Sequence, residues 1–281
     1  MPSRKDIKRR ISSVSTTKQV MKAMDMVAGA KLQKVKVQLE AARPLAKETA
    51  RIIDNIKNCD DALENIYVMP RKVKNTAYVV ITGDRGLCGG YNTNISQSAL
   101  AHMNGKNEKI IAVGLQGLDF FKRRGKRIVS KYSGLSETAF YENAHLISSL
   151  LMLLYKSHAV DEAFIAYTRF DSALSHTPQI AKVLPLGEQT TVFGYSQMQY
   201  ECGVDSFLEH ALPIYLNAMI YAAIVESSTS EQAARMLNMD SAVSNASDII
   251  ENLTKMYNRK RQAVITQEIG EIVNAANALE T

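Results

Sequence analysis

The sequence predicts a mixed α/β protein, in which an antiparallel coiled coil of the N- and C-terminal helices is combined with a central Rossmann-like domain. Apolar residues recur every three or four positions over long stretches at both ends of the 281-residue chain, which is the spacing of a coiled-coil seam. Between these ends, apolar strands alternate with helices, which predicts a mostly parallel sheet covered on both faces. We therefore expect an N-terminal coiled-coil helix over residues 1–57, a globular α/β domain over 58–205 and a C-terminal coiled-coil helix over 206–281.

The C-terminal helix is predicted to be very long. No proline occurs between Ile214 and Thr281, and the only glycine in that stretch is Gly270. A helix from Asp205 to Leu279 would be on the order of 110 Å long, whereas a small domain is about 30 Å across, so the helix needs a partner. Its predicted seam is Met239, Ala242, Ala246, Ile249, Leu253 and Met256, loosening at Lys260 and resuming at Ile265, Ile269, Ile272, Ala276 and Leu279.

The N-terminal helix is the predicted partner. Its seam residues are Ile7, Ile11, Val14, Met21, Met24, Ala28, Leu32, Val35, Leu39, Ala42, Ala46, Thr49, Ile53 and Ile56. Positions 24, 28 and 32 are four apart, which predicts a stutter that unwinds the supercoil locally. An ordinary helical bundle is an alternative, although bundle helices are usually shorter, nearer about 11 to 20 residues.

The middle of the chain changes its hydrophobic period after a polar junction at residues 58–67. In chain order we predict strand 76–82, helix 92–103, strand 109–114, helix 115–124, strand 127–130, helix 137–158, and strands 161–169 and 179–186. Residues 185–204 show no clean period, and we expect irregular structure there.

Charge is distributed unevenly along the chain, whose net charge is +6. Residues 1–51 carry thirteen Lys or Arg residues and four Asp or Glu residues, a net charge of +9, whereas residues 231–281 carry five and seven, a net charge of −2. The first helix should therefore meet acidic protein, nucleic acid or lipid, or else present a solvated charged face. A nucleic-acid-binding protein is one candidate class, but the first 51 residues contain no aromatic side chain to stack on bases.

Neither a membrane span nor a disulfide framework is predicted. The most apolar run, residues 211–225, contains Pro213 and Asn217 and falls short of the roughly 20 residues that a span needs. The cysteines at positions 59, 88 and 202 have no disulfide-framework or metal-ligand spacing, which favours a reducing compartment.

A glycine-rich loop follows the first predicted strand, where a Rossmann domain would bind a pyrophosphate. Its glycines are Gly83, Gly86, Gly89 and Gly90. This spacing is not that of a dinucleotide fingerprint, and no Gly-Lys-Ser/Thr follows. We expect a tight turn, with Asp84 and Arg85 free for contacts, and we predict no cofactor, metal site or catalytic group. A nucleotide-dependent enzyme built on the middle domain is a second candidate class.

Six segments, taken in order along the chain, form a specific combination. They are Arg4-x-x-x-x-Arg9, Thr17-Lys-Gln-Val-Met-Lys-Ala-Met-Asp-Met-Val-Ala28, Ala41-Ala-Arg-Pro44, Asp84-Arg-Gly-Leu-Cys-Gly-Gly90, Ser230-Glu-Gln-Ala-Ala-Arg-Met236 and residues 257–271. Together they resemble the gamma subunit of F-type ATP synthases over essentially the whole chain. One departure is Ala275, where the family signature usually has glycine.

The resemblance implies a central rotor shaft that carries no catalytic site of its own. In that family the coiled coil stands inside the ring of alternating alpha and beta subunits, and the middle domain sits on the membrane ring with the epsilon subunit. Ion flow turns ring and shaft and so drives ATP synthesis on beta, and hydrolysis turns them backwards. The implied location is peripheral, on the cytoplasmic side of a bacterial cell membrane, with no cofactor and no nucleic-acid partner.

The resemblance also implies contact residues. Contacts with beta that carry torque and coupling are implied for Lys18, Lys22, Met24, Arg261, Gln262, Thr266 and Glu268, and an apolar bearing tip for Ile272, Ala275, Ala276 and Leu279. The loop residues Asp84 and Arg85 are candidates for a contact with the head, and Tyr195, Tyr200 and Glu201 for contacts with epsilon or the ring. Plain packing in the seam is an alternative role for Met24.

Overall fold

The computed structural model describes residues 3–57, 65–135, 138–187 and 203–279, with side chains as far as residue 274. A long helix stands at each end of the chain, and a sheet of five strands with three shorter helices lies between them in sequence. The elements are α1 (Arg4–Lys57), β1 (Thr76–Ile81), α2 (Tyr91–His102), β2 (Glu108–Val113), α3 (Leu115–Lys122), β3 (Ile128–Tyr132), α4 (Phe140–Lys156), β4 (Glu162–Phe170), β5 (His176–Leu184) and α5 (Val204–Leu279). The predicted fold class is confirmed, and the predicted ends of the middle elements lie within about three residues of those observed. The irregular stretch predicted for 185–204 lies mostly outside the described residues.

The sheet has the strand order β3-β2-β1-β4-β5. Strands β1 to β4 pair in parallel, and β5 is antiparallel to β4. The central strand β1 reads Thr-Ala-Tyr-Val-Val-Ile, and every one of these residues is buried, as expected for a strand covered on both faces. Strand order and direction are those of a Rossmann-like domain with an antiparallel edge strand.

Helices α2 and α3 cover one face of this sheet. Ile95 and Phe121 of these helices belong to the same buried cluster as Tyr78, Ile110 and Phe164 of the strands. The rings of Tyr78 and Phe164 stack with their centroids 5.4 Å apart. This side is therefore an ordinary apolar core, and its large side chains hold α2 and α3 to the sheet.

The first part of α5 is a core helix. Residues 215–218, 222–227 and 232–234 are buried almost all round the helix, which is the pattern of a helix enclosed by protein. By length and composition α5 could cross a membrane, but 61% of its apolar window is buried inside the protein. We therefore interpret this window as core.

The chain divides into two compact units: residues up to 28 together with residues from 236 onward, and residues 29–235. Within the second unit, α1 and α5 run antiparallel. Lys31 of α1 influences the charge of Glu231 of α5, Arg43 forms an ion pair with Glu226, and Asp54 influences the pKa of Tyr215. The partners on α5 therefore move backward as α1 is followed forward. The division into domains 1–57, 58–205 and 206–281 stays a prediction.

In the first unit, the seam of α5 keeps the predicted positions Met239, Ala246 and Leu253 but differs by one residue at the positions between and after them. Ile249 and Met256 are 46% and 50% exposed. The better-buried residues are instead Met239, Val243, Ala246, Ile250, Leu253, Tyr257, Lys260 and Val264, spaced by alternating steps of four and three. The predicted seam positions 249 and 256 are wrong because apolar residues stand side by side at 249/250 and 256/257, and both phases satisfy the heptad pattern.

The seam of α1 also departs from the prediction at one point. Asp25 is half-buried, whereas Met24 is 39% exposed. The steps Met21, Asp25, Ala28 and Leu32 alternate between four and three, so the predicted stutter is wrong. A charged residue occupies the seam position, and apolarity alone pointed to its neighbour.

One buried carboxylate joins α1, α5 and the end of β4. Glu226 of α5 is 7% exposed. It accepts hydrogen bonds from Arg43 Nε at 2.6 Å and Nη2 at 3.1 Å, and from the backbone N–H of Phe170 at 2.7 Å. Arg43 Nη2 also donates to the Phe170 carbonyl at 2.5 Å. The pairing with Glu226 raises the pKa of Arg43.

Removing this carboxylate should destabilise the protein. We expect Glu226→Ala to lower the free energy of unfolding by about 2–3 kcal/mol, because three charge-assisted hydrogen bonds are lost while the half-exposed Arg43 can still reach water. Urea unfolding of the full chain, followed by circular dichroism, measures this change. Glu48→Ala, which breaks an exposed pair with Arg51, is the control and should cost less than about 0.5 kcal/mol. Equal effects of the two substitutions would contradict the role given to Glu226.

Candidate functional site

The last part of α5 presents two adjacent stripes of exposed residues outside the seam. They are Arg261, Ile265, Glu268 and Ile272, and next to them Gln262, Thr266, Ile269 and Val273. The isoleucines at 265, 269 and 272 were predicted as seam positions, but they are 44%, 57% and 69% exposed, so the predicted continuation of the seam through them is wrong. A coiled coil that meets only water carries polar residues at such positions, so these isoleucines indicate contact with another apolar surface. The predicted contact residues of α5 with described side chains all lie in these two stripes.

A second exposed apolar stripe lies on α1. Val20, Met24 and Val27 follow steps of four and three and are 49%, 39% and 57% exposed. Lys22 is also exposed, whereas Lys18 is half-buried at a seam position. The alternative that Met24 packs in the seam is therefore wrong. Val20 and Val27 were missed by the sequence analysis, although their spacing from Met24 was a signal that could have found them.

Six predicted contact residues lie outside the part of the chain whose side chains are described. Ala275, Ala276 and Leu279 belong to α5, but their side chains lie beyond the described ones. Tyr195, Tyr200 and Glu201 fall outside the described residues.

The acidic residue of the loop between β1 and α2 is held by backbone N–H groups from other parts of the domain. Asp84 accepts hydrogen bonds from the N–H of Leu115 at 3.0 Å and from the N–H of Gly134 at 2.7 Å. Leu115 is the first residue of α3, where helix N–H groups lack partners within the helix and attract a carboxylate. The expectation that Asp84 is free for contacts is therefore wrong. The side chain of Arg85 is exposed.

Helix α5 packs directly against this loop. A Cβ on Gly83 would lie 2.6 Å from Oε1 of Glu231, so any side chain there would force this carboxylate to move. Glu231 in turn pairs with Arg235, with 2.5 Å between Oε1 and Nη2, and Arg235 donates to the carbonyl of Gly86 at 3.4 Å. Burial raises the pKa of the Glu231 carboxyl, Arg235 opposes this shift, and the negative charge of Asp84 adds to it.

The same helix fills the crevice where a Rossmann domain would hold a dinucleotide. The cavity left between Gly83, Gly114, Ser227 and Glu231 has a volume of about 60 Å³. Binding sites for small molecules usually measure about 300–1,000 Å³. The hydroxyl of Tyr91 donates to the carbonyl of Ser227 at 2.9 Å and ties α2 to α5 across this region. The geometry therefore favours a structural joint over a nucleotide site.

Fold and surface together define a class: coiled-coil proteins with a Rossmann-like domain whose crevice is filled by one of the coiled-coil helices. Comparison with known proteins makes this specific. The profile of the family described as ATP synthase matches residues 3–279. The ATP synthase gamma chain of Alkaliphilus metalliredigens is 44% identical over 98% of both chains. The sodium-ion-specific ATP synthase gamma chain of Acetobacterium woodii is 38% identical, again over 98% of both. This chain belongs to the ATP synthase gamma chain family.

Solved structures agree with this fold. A chain from the OSCP, F1 and c-ring structure of the Euglena gracilis mitochondrial ATP synthase matches with a TM-score of 0.70 at 18% identity, covering 98% of this chain and 94% of that one. A chain from the central stalk and c-ring of the Tetrahymena thermophila mitochondrial enzyme matches with a TM-score of 0.64 at 24% identity, over 79% and 99%. At these identities the likeness supports the fold.

The raised pKa of Glu231 should make stability depend on pH. Above the ordinary value of 4.5 the unfolded chain loses this proton before the folded chain does, so the free energy of unfolding falls as pH rises through the folded pKa. We expect Glu231→Gln to remove this loss, so that the variant gains stability relative to the parent from pH 4.5 upward. Each unit by which the pKa in the folded chain exceeds that in the unfolded chain lowers the parent's free energy of unfolding by about 1.4 kcal/mol at higher pH.

Denaturant unfolding of the full chain at a series of pH values measures this difference. Glu251→Gln is the control of opposite sign, because the ion pair with Lys255 lowers the pKa of Glu251. That variant should lose a little stability relative to the parent as pH rises. A difference between Glu231→Gln and the parent that does not change with pH would contradict the assignment.

Proposed function

We propose that this chain is the central-stalk rotor subunit of an ion-driven ATP synthase, and that it transmits rotation between a membrane ring and a catalytic head of alpha and beta subunits. The chain acts through its surface and contributes no catalytic group. Reversal of rotation accompanies ATP hydrolysis. Its proposed place is the cytoplasmic face of a bacterial cell membrane, as a peripheral subunit.

The observation that carries this proposal is the exposed apolar surface of the first unit. Ile265, Ile269 and Ile272 on α5, and Val20 and Val27 on α1, lie outside the seam and are each at least 44% exposed. Holding such side chains in water is unfavourable by roughly 25 cal/mol for each Å² of apolar surface. A sleeve of surrounding subunits removes this cost, and a bearing for a rotating helix requires an apolar lining of this kind.

The two helices of the first unit offer different chemistry, which a rotor needs. Residues 3–28 carry seven Lys or Arg residues and only Asp6 and Asp25, whereas the last turns of α5 present isoleucines beside Arg261 and Glu268. Three otherwise identical beta subunits around such a surface would each meet different groups. A conformational equilibrium shifts only by differential contact energy, and a tenfold change in affinity corresponds to about 1.4 kcal/mol.

The Rossmann-like domain is the proposed foot of the rotor. We propose that the ring and the epsilon subunit meet this domain, with Tyr195, Tyr200 and Glu201 as candidate contacts and Arg85 as a candidate for the head. Glu226 and Glu231 support the proposal, because their contacts fix α5 to the sheet and to the glycine loop. A helix held in this way can pass a twist on to the domain.

Arg261 should carry part of the coupling. We expect Arg261→Ala to lower ATP-driven ion pumping per ATP hydrolysed by about tenfold, because a planar forked donor to a beta carboxylate is lost at a cost of about 1.4 kcal/mol or more. Pumping and hydrolysis are measured on the reconstituted complex. Arg259→Ala is the matched control, since Arg259 is an exposed arginine of the same helix that precedes both stripes. Identical ratios in the two variants would remove Arg261 from the proposal.

The exposed isoleucines should matter for assembly and not for folding. We expect Ile269→Asp with Ile272→Asp to leave the helicity of the full chain unchanged, since both side chains already face solvent. The same variant should bind alpha and beta at least 100-fold more weakly, because two carboxylates would be buried in an apolar sleeve. Co-purification and titration with alpha and beta test this. Asn258→Asp adds a charge at an exposed polar position of α5 and is the control. Unimpaired binding of the double variant would contradict the proposed apolar sleeve.

A further inference from the structure

The corner between α3 and β3 concentrates positive charge that the proposed rotor contacts do not use. Its cations are Lys122, Arg123, Arg124, Lys126, Arg127 and Lys131, which we call the basic corner. No acidic residue occurs in the sequence from Phe120 to Leu135. All of these cations except the half-buried Lys126 are exposed. Among the described residues, Lys126 alone of the six has an ion pair, with Glu108 at 2.9 Å.

Except for Lys131, which pairs with Ala112 nearer the carboxyl end of β2, the cations of the corner lie at the end of the sheet where the parallel strands begin. Glu108, the partner of Lys126, is the first residue of β2, and it aligns with Thr76 at the start of β1. Thr76 aligns in turn with Glu162 at the start of β4. The exposed lysines Lys72 and Lys74 immediately precede β1 and extend the positive charge along the same edge.

The acidic groups of this edge are committed to internal contacts. Asp161 accepts hydrogen bonds from the N–H of Lys74 at 2.8 Å and of Asn75 at 2.9 Å. Glu162 is 6% exposed and pairs with Lys106 at 2.9 Å and with the hydroxyl of Thr76 at 2.8 Å. These carboxylates hold the strands in place, and they leave the exposed cations of the corner as the outward charge of the edge.

Protection of an open sheet edge explains only part of the cluster. A lysine in an edge strand discourages pairing with other strands, which accounts for Lys131 of β3. Lys122, Arg123 and Arg124 belong to the end of α3 and to the turn that follows, so they do not serve that purpose. Arg124 is held in place, with its guanidinium 3.6 Å from the centroid of the Phe120 ring and its Nη1 donating to the Phe120 carbonyl at 3.1 Å.

We infer that the basic corner binds the headgroups of anionic phospholipids. Clusters of four to eight exposed cations are attracted to anionic membrane surfaces by roughly 1 kcal/mol for each cation near the surface, and they need no pocket. An acidic protein segment would be held more selectively by a pocket with an apolar anchor. The corner offers little exposed apolar surface for such an anchor. Phe121 is buried, Phe120 is half-buried beneath Arg124, and Val129 is 39% exposed.

This inference rests on the proposed function in one respect, namely that the basic segment of α1 is enclosed by the alpha and beta subunits. The test therefore uses the complex of the full chain with alpha and beta. Flotation compares vesicles containing about one-third phosphatidylglycerol with vesicles of phosphatidylcholine alone. We expect binding to the anionic vesicles only, and loss of binding when salt rises from about 0.1 M to about 1 M, since the Debye length falls from about 10 Å to about 3 Å.

The decisive variant is Lys122→Gln with Arg123→Gln and Arg127→Gln, which should weaken vesicle binding by roughly 100-fold. Lys34→Gln with Lys36→Gln and Lys47→Gln is the matched control, since it removes the same charge from exposed lysines of α1 in the same unit. Equal binding by the two triple variants would overturn the inference. So would binding of a DNA duplex, or of an acidic subunit, without any binding of anionic vesicles. If the chain fails to recover alpha and beta at all, the rotor proposal fails, and flotation of the full chain alone still tests the corner.

Discussion

The structure depends on the burial of one long apolar helix. Helix α5 has 76 residues, and no helix of that length can hide its apolar side chains by itself. It meets this constraint differently in the two units. Between residues 204 and 235 it is enclosed by the sheet, the glycine loop and α1, whereas from residue 236 onward only the first part of α1 belongs to its unit. There the seam buries one side of the helix, and the other sides stay exposed.

The enclosed part of α5 explains why a Rossmann-like domain need not bind a nucleotide here. Its residues occupy the crevice at the carboxyl ends of the strands, where the order of the sheet would otherwise create a ligand site. A side chain on Gly83 would displace the Glu231 carboxylate, which lies against this glycine. The glycine loop thus serves close packing of a helix.

The exposed part of α5 supports the proposed function, because it presents isoleucines at positions outside the seam, where coiled coils normally carry polar residues. Charge on α1 and isoleucines on α5 make the surface chemically uneven around the helix pair. An uneven surface can bias otherwise identical neighbours differently, and the rotor role proposed above rests on this principle. The basic corner applies the same principle to a different kind of surface, since it too acts by charge and position alone.

The sequence by itself determined the fold class, the middle elements to within about three residues, and the family, because hydrophobic period and signature segments are local properties of the chain. It did not determine the phase of the seam. Ile249 and Ile250 are chemically alike, and only packing against α1 decides which of them is buried. The same holds for Met24 and Asp25, where apolarity favoured the wrong residue. The internal role of Asp84 and the close approach of Glu231 to Gly83 join residues far apart in sequence. Contacts of this kind depend on how the elements assemble, and they exist only in the tertiary structure.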